Sequence, residues 1–345
     1  MPEGSSDCMS SISPPPSPTI CRACPSNELD WSDGDGSDGS AVEDEESVED
    51  EHGAGNIPAA GALELWRPVS LARRFKRRIN SWTKMRVLGK GSFGDVYDVI
   101  TDDGSYFAVK EISLSDYTND SLVQLEQDIS LLSQLEHENI VQYIGTDKDN
   151  EKLYVFLEVM IKGSVATLYR ERALIEPQVS SYTGQILNGL KYLHDKKVIH
   201  RDIRCANILI DGNGAVKLAD FGWAKATEMN AAKSFKGTLL WTAPEVFESV
   251  NNRSYGLAAD IWSLGCTVLE MLTWGSQYSG FKLEQALEKI HKGERPSLPK
   301  YLSKDARDFI SRCLQRNPKN RPSAAQLLDH PFVMNPPTFA RLHIS

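Results

Sequence analysis

The spacing of apolar positions divides the chain into stretches of different period. From Trp82 onward, short β-branched runs at Val96 to Ile100 and Tyr106 to Val109 predict extended strands, and the amphipathic stretch from Leu122 to Leu135 predicts one helix beside them. Past Gly163 the spacing becomes helical. Tyr182, Ile186, Leu190 and Leu193 fall three or four residues apart, and Ile261 to Leu272 is nearly all apolar, as a buried helix would be. The expected fold class is α+β, with a small β-rich lobe over residues 82–160, a larger α-helical lobe over 161–333 and a tail over 334–345.

Residues 1–60 follow neither period. They are poor in large apolar side chains and rich in Ser, Gly, Pro, Asp and Glu, so burial cannot offset the entropy of ordering them, and disorder is expected. Charge sharpens this division. The formal net charge of -9 is uneven: residues 1–60 hold 14 acidic groups against the single base Arg22, while 61–80 are net +5. The remaining 32 acids and 31 bases nearly cancel, so the folded part offers no bulk basic field for nucleic acid. Ser13 and Ser17 each precede a proline, a pattern that proline-directed kinases accept.

The basic stretch 61–81 mixes Leu65, Trp66, Val69, Phe75 and Ile79 with Arg73, Arg74, Lys76, Arg77 and Arg78. It reads as a solvated connector, as a nuclear-import or membrane-surface patch, or as a clasp for the acidic tail. Six dispersed cysteines make no disulfide framework and imply a reducing compartment; the spacing of Cys21 and Cys24 lacks a second pair that would complete a zinc site. No apolar run reaches the roughly 20 residues of a membrane helix, and no signal-peptide core is present, so a cytoplasmic or nuclear location is expected.

Candidate chemistry begins at Gly89-Lys90-Gly91-Ser92-Phe93-Gly94-Asp95-Val96, whose glycines let backbone approach a phosphate closely. Dinucleotide-binding folds share that pattern but open a helix after it. Here Asp95 to Ile100 is β-branched and extended, and it turns at Asp102-Asp103-Gly104 into Tyr106 to Lys110. Lys110 ends an Ala-Val-Lys run on this second strand, where an ammonium can reach the α- and β-phosphates beneath the loop.

The run His200-Arg201-Asp202-Ile203-Arg204-Cys205-Ala206-Asn207 follows a helical stretch, and a turn at Asp211 to Gly214 leads back to Asp220-Phe221-Gly222. Phosphoryl transfer needs a carboxylate that orients the acceptor hydroxyl and takes its proton, together with hard oxygen ligands that hold Mg²⁺ on the phosphates. Asp202 suits the first role, and Asn207 and Asp220 the second.

On these motifs the chain resembles a eukaryotic protein kinase over residues 82–333. The resemblance implies the two-lobed protein kinase fold, ATP and Mg²⁺ as cofactors, and an ATP site formed by Leu88, Gly89, Gly91, Ser92, Gly94, Val96, Ala108 and Lys110. It implies that Glu158 and Met160 offer backbone groups to adenine, with Leu157 as gatekeeper. Asp202, Lys110, Arg204 and Asn207 would serve catalysis, Glu245 of Ala243-Pro244-Glu245 would pair with Arg321, and Asp260 would anchor the catalytic loop. A base two residues after Asp202 marks serine/threonine preference.

Within the kinases the chain resembles the plant MEKK-like MAP kinase kinase kinases, on Leu131 to Val141, Gly189 to His194, Ser234 to Thr238 and His330 to Val333. That likeness implies a MAP kinase kinase as protein substrate and an upstream activating kinase as partner. A nucleotide-binding pseudokinase acting as scaffold is the rival reading.

Several positions depart from the family pattern. Asp128 stands where a helix glutamate usually pairs with the strand lysine, one methylene short, and Glu126 points about 200° away around the helix. Arg204 replaces the usual lysine with a planar fork. Trp223, Leu239 and Thr242 also depart, the first read as packing and the others as bearing on substrate docking. Ser234 and Thr238 are phosphorylation candidates, since a phosphate there could pair with Arg201; the Thr238 hydroxyl is alternatively a contact to Asp202.

Overall fold

The computed structural model describes residues 74–75, 81–91, 94–149, 151–220, 238–248, 256–276, 278 and 280–335. The acidic tail, Cys21, Cys24, Ser92, Trp223 and Ser234 lie outside the described residues.

The small lobe is one antiparallel sheet with a helix against it. Its strands are β1 (Arg74–Phe75), β2 (Trp82–Gly91), β3 (Gly94–Thr101), β4 (Tyr106–Ser113), β5 (Tyr143–Lys148) and β6 (Lys152–Leu157), in the order β1-β5-β6-β4-β3-β2. Alternation assigns the faces. Ile112, Leu153 and Val155 pack in the same core as Leu125 and Ile129 of helix α1 (Asn119–Gln134), while Val99, Phe107, Val109 and Phe156 form a separate cluster joined by Trp82 and Tyr154. Trp82 meets Tyr154 and Phe156 edge-on, with ring centroids 5.0 and 5.4 Å apart. Two residues of the basic stretch join this sheet: Arg74 lies opposite Thr146 and Phe75 opposite Gly145.

The large lobe is helical, as the period predicts. It comprises α2 (Val165–Glu171), α3 (Glu176–Asp195), the small hairpin β7 (Ile208–Ile210) and β8 (Val216–Leu218), α4 (Pro244–Glu248), α5 (Leu257–Thr273), α6 (Leu283–His291), α7 (Lys304–Cys313), α8 (Ala324–Leu328) and α9 (Pro331–Met334). Helix α5 is the axis, because every residue from Ala259 to Leu272 is buried. Among the described residues Cys205, Cys266 and Cys313 are buried free thiols, and no helix is long and apolar enough to cross a membrane.

Candidate active site

The glycine loop is the turn between β2 and β3, where Gly91 pairs with Gly94 and Gly89 with Val96. Gly94 has φ 124°, and a Cβ there would stand 1.8 Å from the Glu111 carbonyl oxygen. Only glycine lets β3 lie this close to β4, so this position answers to strand packing as much as to phosphate. A Cβ at Gly89 would meet nothing within 4 Å, which leaves open space over that part of the loop. Leu88 is exposed beside it.

Register carries the next residues into the cleft. Val96 lies opposite Lys110, and Ala108 opposite Leu157 at the end of β6. Val141, Met160 and Ala219 form a small buried cluster with Leu157 and Leu209, an apolar bed at the connection between the lobes. Sequence reasoning named Leu157 and Met160 here but missed Val141, Leu209 and Ala219. The Glu158 side chain is tied as well: it accepts from the Gln142 backbone N–H at 2.7 Å and from Lys217 Nζ at 2.8 Å on each oxygen. Lys217 sits on β8, three residues before Asp220, so the charged pair fastens the strand leading to Asp220 to the interlobe connection.

Lys110 is 1% exposed, and its ammonium donates to Asp220 Oδ1 at 2.8 Å across 110 residues of sequence. Burial pushes the Asp220 carboxyl up. The Lys110 charge and hydrogen bond, with His200 and Arg204 behind them, outweigh it and hold the group below the usual carboxylate value. Asp128 accepts from Gln124 Nε2 at 3.0 Å, one turn earlier on α1.

The catalytic loop is held from α5. Asp260, 1% exposed, accepts from His200 N and Arg201 N at 2.9 Å each, and His194 Nε2 lies 2.9 Å from it. This clamp holds Arg201 at φ 73°, and Asp220 across the site has φ 59°. Left-handed backbone at non-glycine residues costs about 1–3 kcal/mol each and persists where surroundings enforce it. Asp202, next to Arg201, receives Asn207 Nδ2 on Oδ2 at 2.6 Å and on its own carbonyl at 2.9 Å. Arg204 Nε stands 3.1 Å from Asp202 Oδ1, yet that buried oxygen makes no hydrogen bond.

The arrangement fits a magnesium nucleotide. Asn207 spends its amide nitrogen on Asp202, which leaves its carbonyl oxygen for a cation, and Asp220 adds an anionic oxygen. One further anchor lies where sequence placed it: Glu245 pairs with Arg321 through both oxygens at 2.6 and 2.7 Å. Thr242 is buried, and its N–H donates to the Leu239 carbonyl at 3.2 Å. Thr238 begins the short 3₁₀ turn that leads there.

Sequence reasoning missed Glu270. This buried carboxylate on α5 accepts from Tyr169 Oη at 2.8 Å, Trp241 Nε1 at 3.0 Å and Cys205 N at 3.4 Å. Its signal was a lone charged residue inside an otherwise apolar run.

A glycine-loop strand pair, a buried strand lysine on an aspartate, and a clamped loop presenting a second aspartate define a phosphotransferase cleft. The family model of the protein kinase domain matches residues 82–333, and the chain belongs to the protein kinase family. Over 261 residues it is 56% identical to mitogen-activated protein kinase kinase kinase 1 of Arabidopsis thaliana, covering 75% of this chain and 43% of that one. It is 54% identical to mitogen-activated protein kinase kinase kinase 9 of the same plant over 74% of this chain and 34% of the relative. Mitogen-activated protein kinase kinase kinase 1b of Physcomitrium patens is 50% identical over 75% of this chain and 34% of its own length. The chain thus spans less than half the length of these relatives.

Proposed function

We propose that the chain is a serine/threonine protein kinase of the MAP kinase kinase kinase type, transferring the γ-phosphoryl group of ATP to a hydroxyl on a MAP kinase kinase. The observation that carries this reading is the convergence of Lys110, Asp202, Asn207 and Asp220 on one cleft, with the Asp202 carboxylate paired to Arg204 and bonded by Asn207. Mg²⁺, when bound, would supply positive charge that neutralises the phosphates. Asn207 and Asp220 would hold that ion. Lys110 positions the phosphates, and Asp202 Oδ1 orients the acceptor hydroxyl and takes its proton. Asn207 Nδ2 and Arg204 Nε fix the plane of the Asp202 carboxylate.

The names of the relatives support the substrate class, and the retained polar groups support catalysis. A cytosolic or nuclear location agrees with dispersed cysteines in a reducing compartment. Arg204 and Asp128 favour one rival, a nucleotide-binding scaffold without transfer. Incubation of the purified full chain with Mg-ATP and a kinase-dead MAP kinase kinase, with Asp202→Asn as blank, separates the two. Label on the substrate above the blank supports transfer, and nucleotide binding without label supports the scaffold.

A further inference from the structure

An antiparallel sheet leaves its outermost strand with a row of N–H and C=O groups unpaired, a template for any extended chain that reaches it. The kinase family match begins at Trp82, and within residues 82–333 the small-lobe sheet would end at β5. It does not end there. Arg74–Phe75, upstream of the match, pairs with β5 antiparallel, Arg74 opposite Thr146 and Phe75 opposite Gly145. Both partners on β5 are buried, Thr146 to 1% exposure, so this border of the sheet is covered.

Register explains why this segment suits the place. Gly145, opposite position 75, lies opposite Phe156 of β6 on its other side. A glycine adds no side chain to its row, and an aromatic residue on the neighbouring strand compensates for it. Position 75 is a phenylalanine, and the row it enters holds Phe156 of the Val99, Phe107, Val109 and Phe156 cluster. Position 74 enters the other row, with Thr146 and Val155. Charge agrees in sign. Beyond Thr146 the chain carries Asp147, Asp149 and Glu151 against Lys148 and Lys152, and Lys152 is drawn to Glu111 at 2.9 Å. The segment from Arg67 to Ser81 contains no acid and brackets its paired residues with Arg73, Lys76, Arg77 and Arg78.

We infer that the edge of β5 is a strand-addition docking site for a short basic segment with an aromatic residue opposite Gly145, and that this chain fills the site in cis with its own residues around Arg74 and Phe75. Main-chain hydrogen bonds supply the attachment, and the residue opposite Gly145 supplies selectivity. The basic stretch is then neither a solvated connector nor a clasp for the acidic tail. It belongs to the sheet, and a second strand of the same composition gains the edge only when the cis strand leaves it. The inference stands apart from the kinase reading, because none of its measurements depends on phosphoryl transfer.

The test uses the full chain. Arg74→Pro together with Phe75→Pro removes both N–H groups of the strand, whereas changing Arg73, Lys76, Arg77 and Arg78 to Gln keeps the backbone and removes the charge. Each protein is measured by residue-resolved hydrogen exchange at Gly145 and Thr146 and by anisotropy with a fluorescent peptide of residues 69–80. Alternate N–H groups along a strand point to opposite neighbours, so protection of both amides needs a strand on each side of β5. The parent should protect both at low and high salt. The proline variant should lose one and bind the peptide roughly tenfold tighter than the parent, whose cis strand holds the edge at about millimolar effective concentration. A peptide carrying Phe75→Ala should bind the proline variant more weakly, and the Gln variant should keep both amides protected. Equal peptide binding by parent and proline variant, or an edge opened by the Gln variant instead, overturns the inference. A parent that is dimeric by light scattering and becomes monomeric with the prolines overturns the cis assignment. If the proline variant does not fold, the parent decides: an unprotected amide at Gly145 or Thr146 refutes strand addition, and two protected amides insensitive to salt support it.

Discussion

Replacing Asp260 by Asn tests whether the catalytic loop is held in its strained shape from α5. The carboxylate is 1% exposed and accepts two backbone N–H groups, with a third contact to His194. An Asn can keep its oxygen toward His200 and His194, but its amide then faces Arg201 N, donor against donor. One charge-assisted bond is lost and one buried N–H is left without an acceptor, a total of about 3 kcal/mol. For a domain of this size that corresponds to roughly 6–12 °C in Tm. The clamp also holds Arg201 at φ 73°, so once released the residue relaxes toward negative φ and moves Asp202 beside it. A displacement of about 1 Å at the acceptor carboxylate lowers kcat about a hundredfold. Differential scanning fluorimetry and initial rates with Mg-ATP measure both effects. Ser180→Ala is the control: it removes a buried 2.6 Å bond to the Phe332 carbonyl far from the cleft, so it should lower Tm and spare kcat. If Asp260→Asn melts within about 2 °C of the parent and turns over normally, the anchoring argument is wrong.

Four further outcomes are expected. Lys217→Met leaves the Glu158 carboxylate with the Gln142 N–H alone and loosens the strand before Asp220, so KM for ATP should rise severalfold in steady-state assays while Lys217→Arg stays near the parent. Asp128→Glu restores the missing methylene on α1, and the transfer rate should increase; an unchanged kcat would show that the shorter arm already serves. Lys197 is exposed and sits at φ 60°, so Lys197→Asn should stabilise by about 0.5–1 kcal/mol, read as a higher melting temperature. Burial lowers the pKa of His137 below its ordinary 6.5, against the opposing pull of Glu138, and its Nδ1 accepts from Asn139 N at 3.0 Å. The unfolded chain therefore binds the proton first on acidification. This contribution is complete above about pH 6.5 and lost as pH falls toward the folded value, and His137→Gln should flatten that part of the Tm profile.

Much of the cleft was legible because its signals are local. The strand that ends at Lys110, the run from His200 to Asn207 and the return to Asp220 each declare themselves within about ten residues, and their order selects the fold. The period of apolar residues placed α1 within three residues of its observed start. What escaped depends on distant partners. Lys217 and Glu158 are 59 residues apart, and each alone looks like a solvated charge. The pairing of Arg74 and Phe75 with β5 involves two residues and no pattern of its own. Backbone strain is invisible for the same reason: Arg201, Asp220 and Trp274 adopt positive φ because their surroundings impose it, and at the end of α5 the local rule would have assigned that conformation to Gly275.

Helix α5 shows why reading a run as simply apolar discards information. Within the buried stretch, Asp260, Ser263, Thr267 and Glu270 recur at intervals of three, four and three, which aligns them on one side of the helix. Each meets the active site. Asp260 takes the N–H groups of His200 and Arg201, Thr267 donates to the Ile203 carbonyl at 3.2 Å, and Glu270 takes Cys205 N. Ser263 donates to the Trp241 carbonyl at 2.7 Å, while Glu270 accepts from the indole of the same residue. A buried polar group is tolerated only where a partner meets it, so four at helical spacing in an apolar helix require an irregular segment packed along that side. Here that segment is the catalytic loop together with the stretch leading to Ala243-Pro244-Glu245. The helix therefore acts as a template that sets the loop against the substrate-side residues, and its polar stripe could have been recognised from spacing alone.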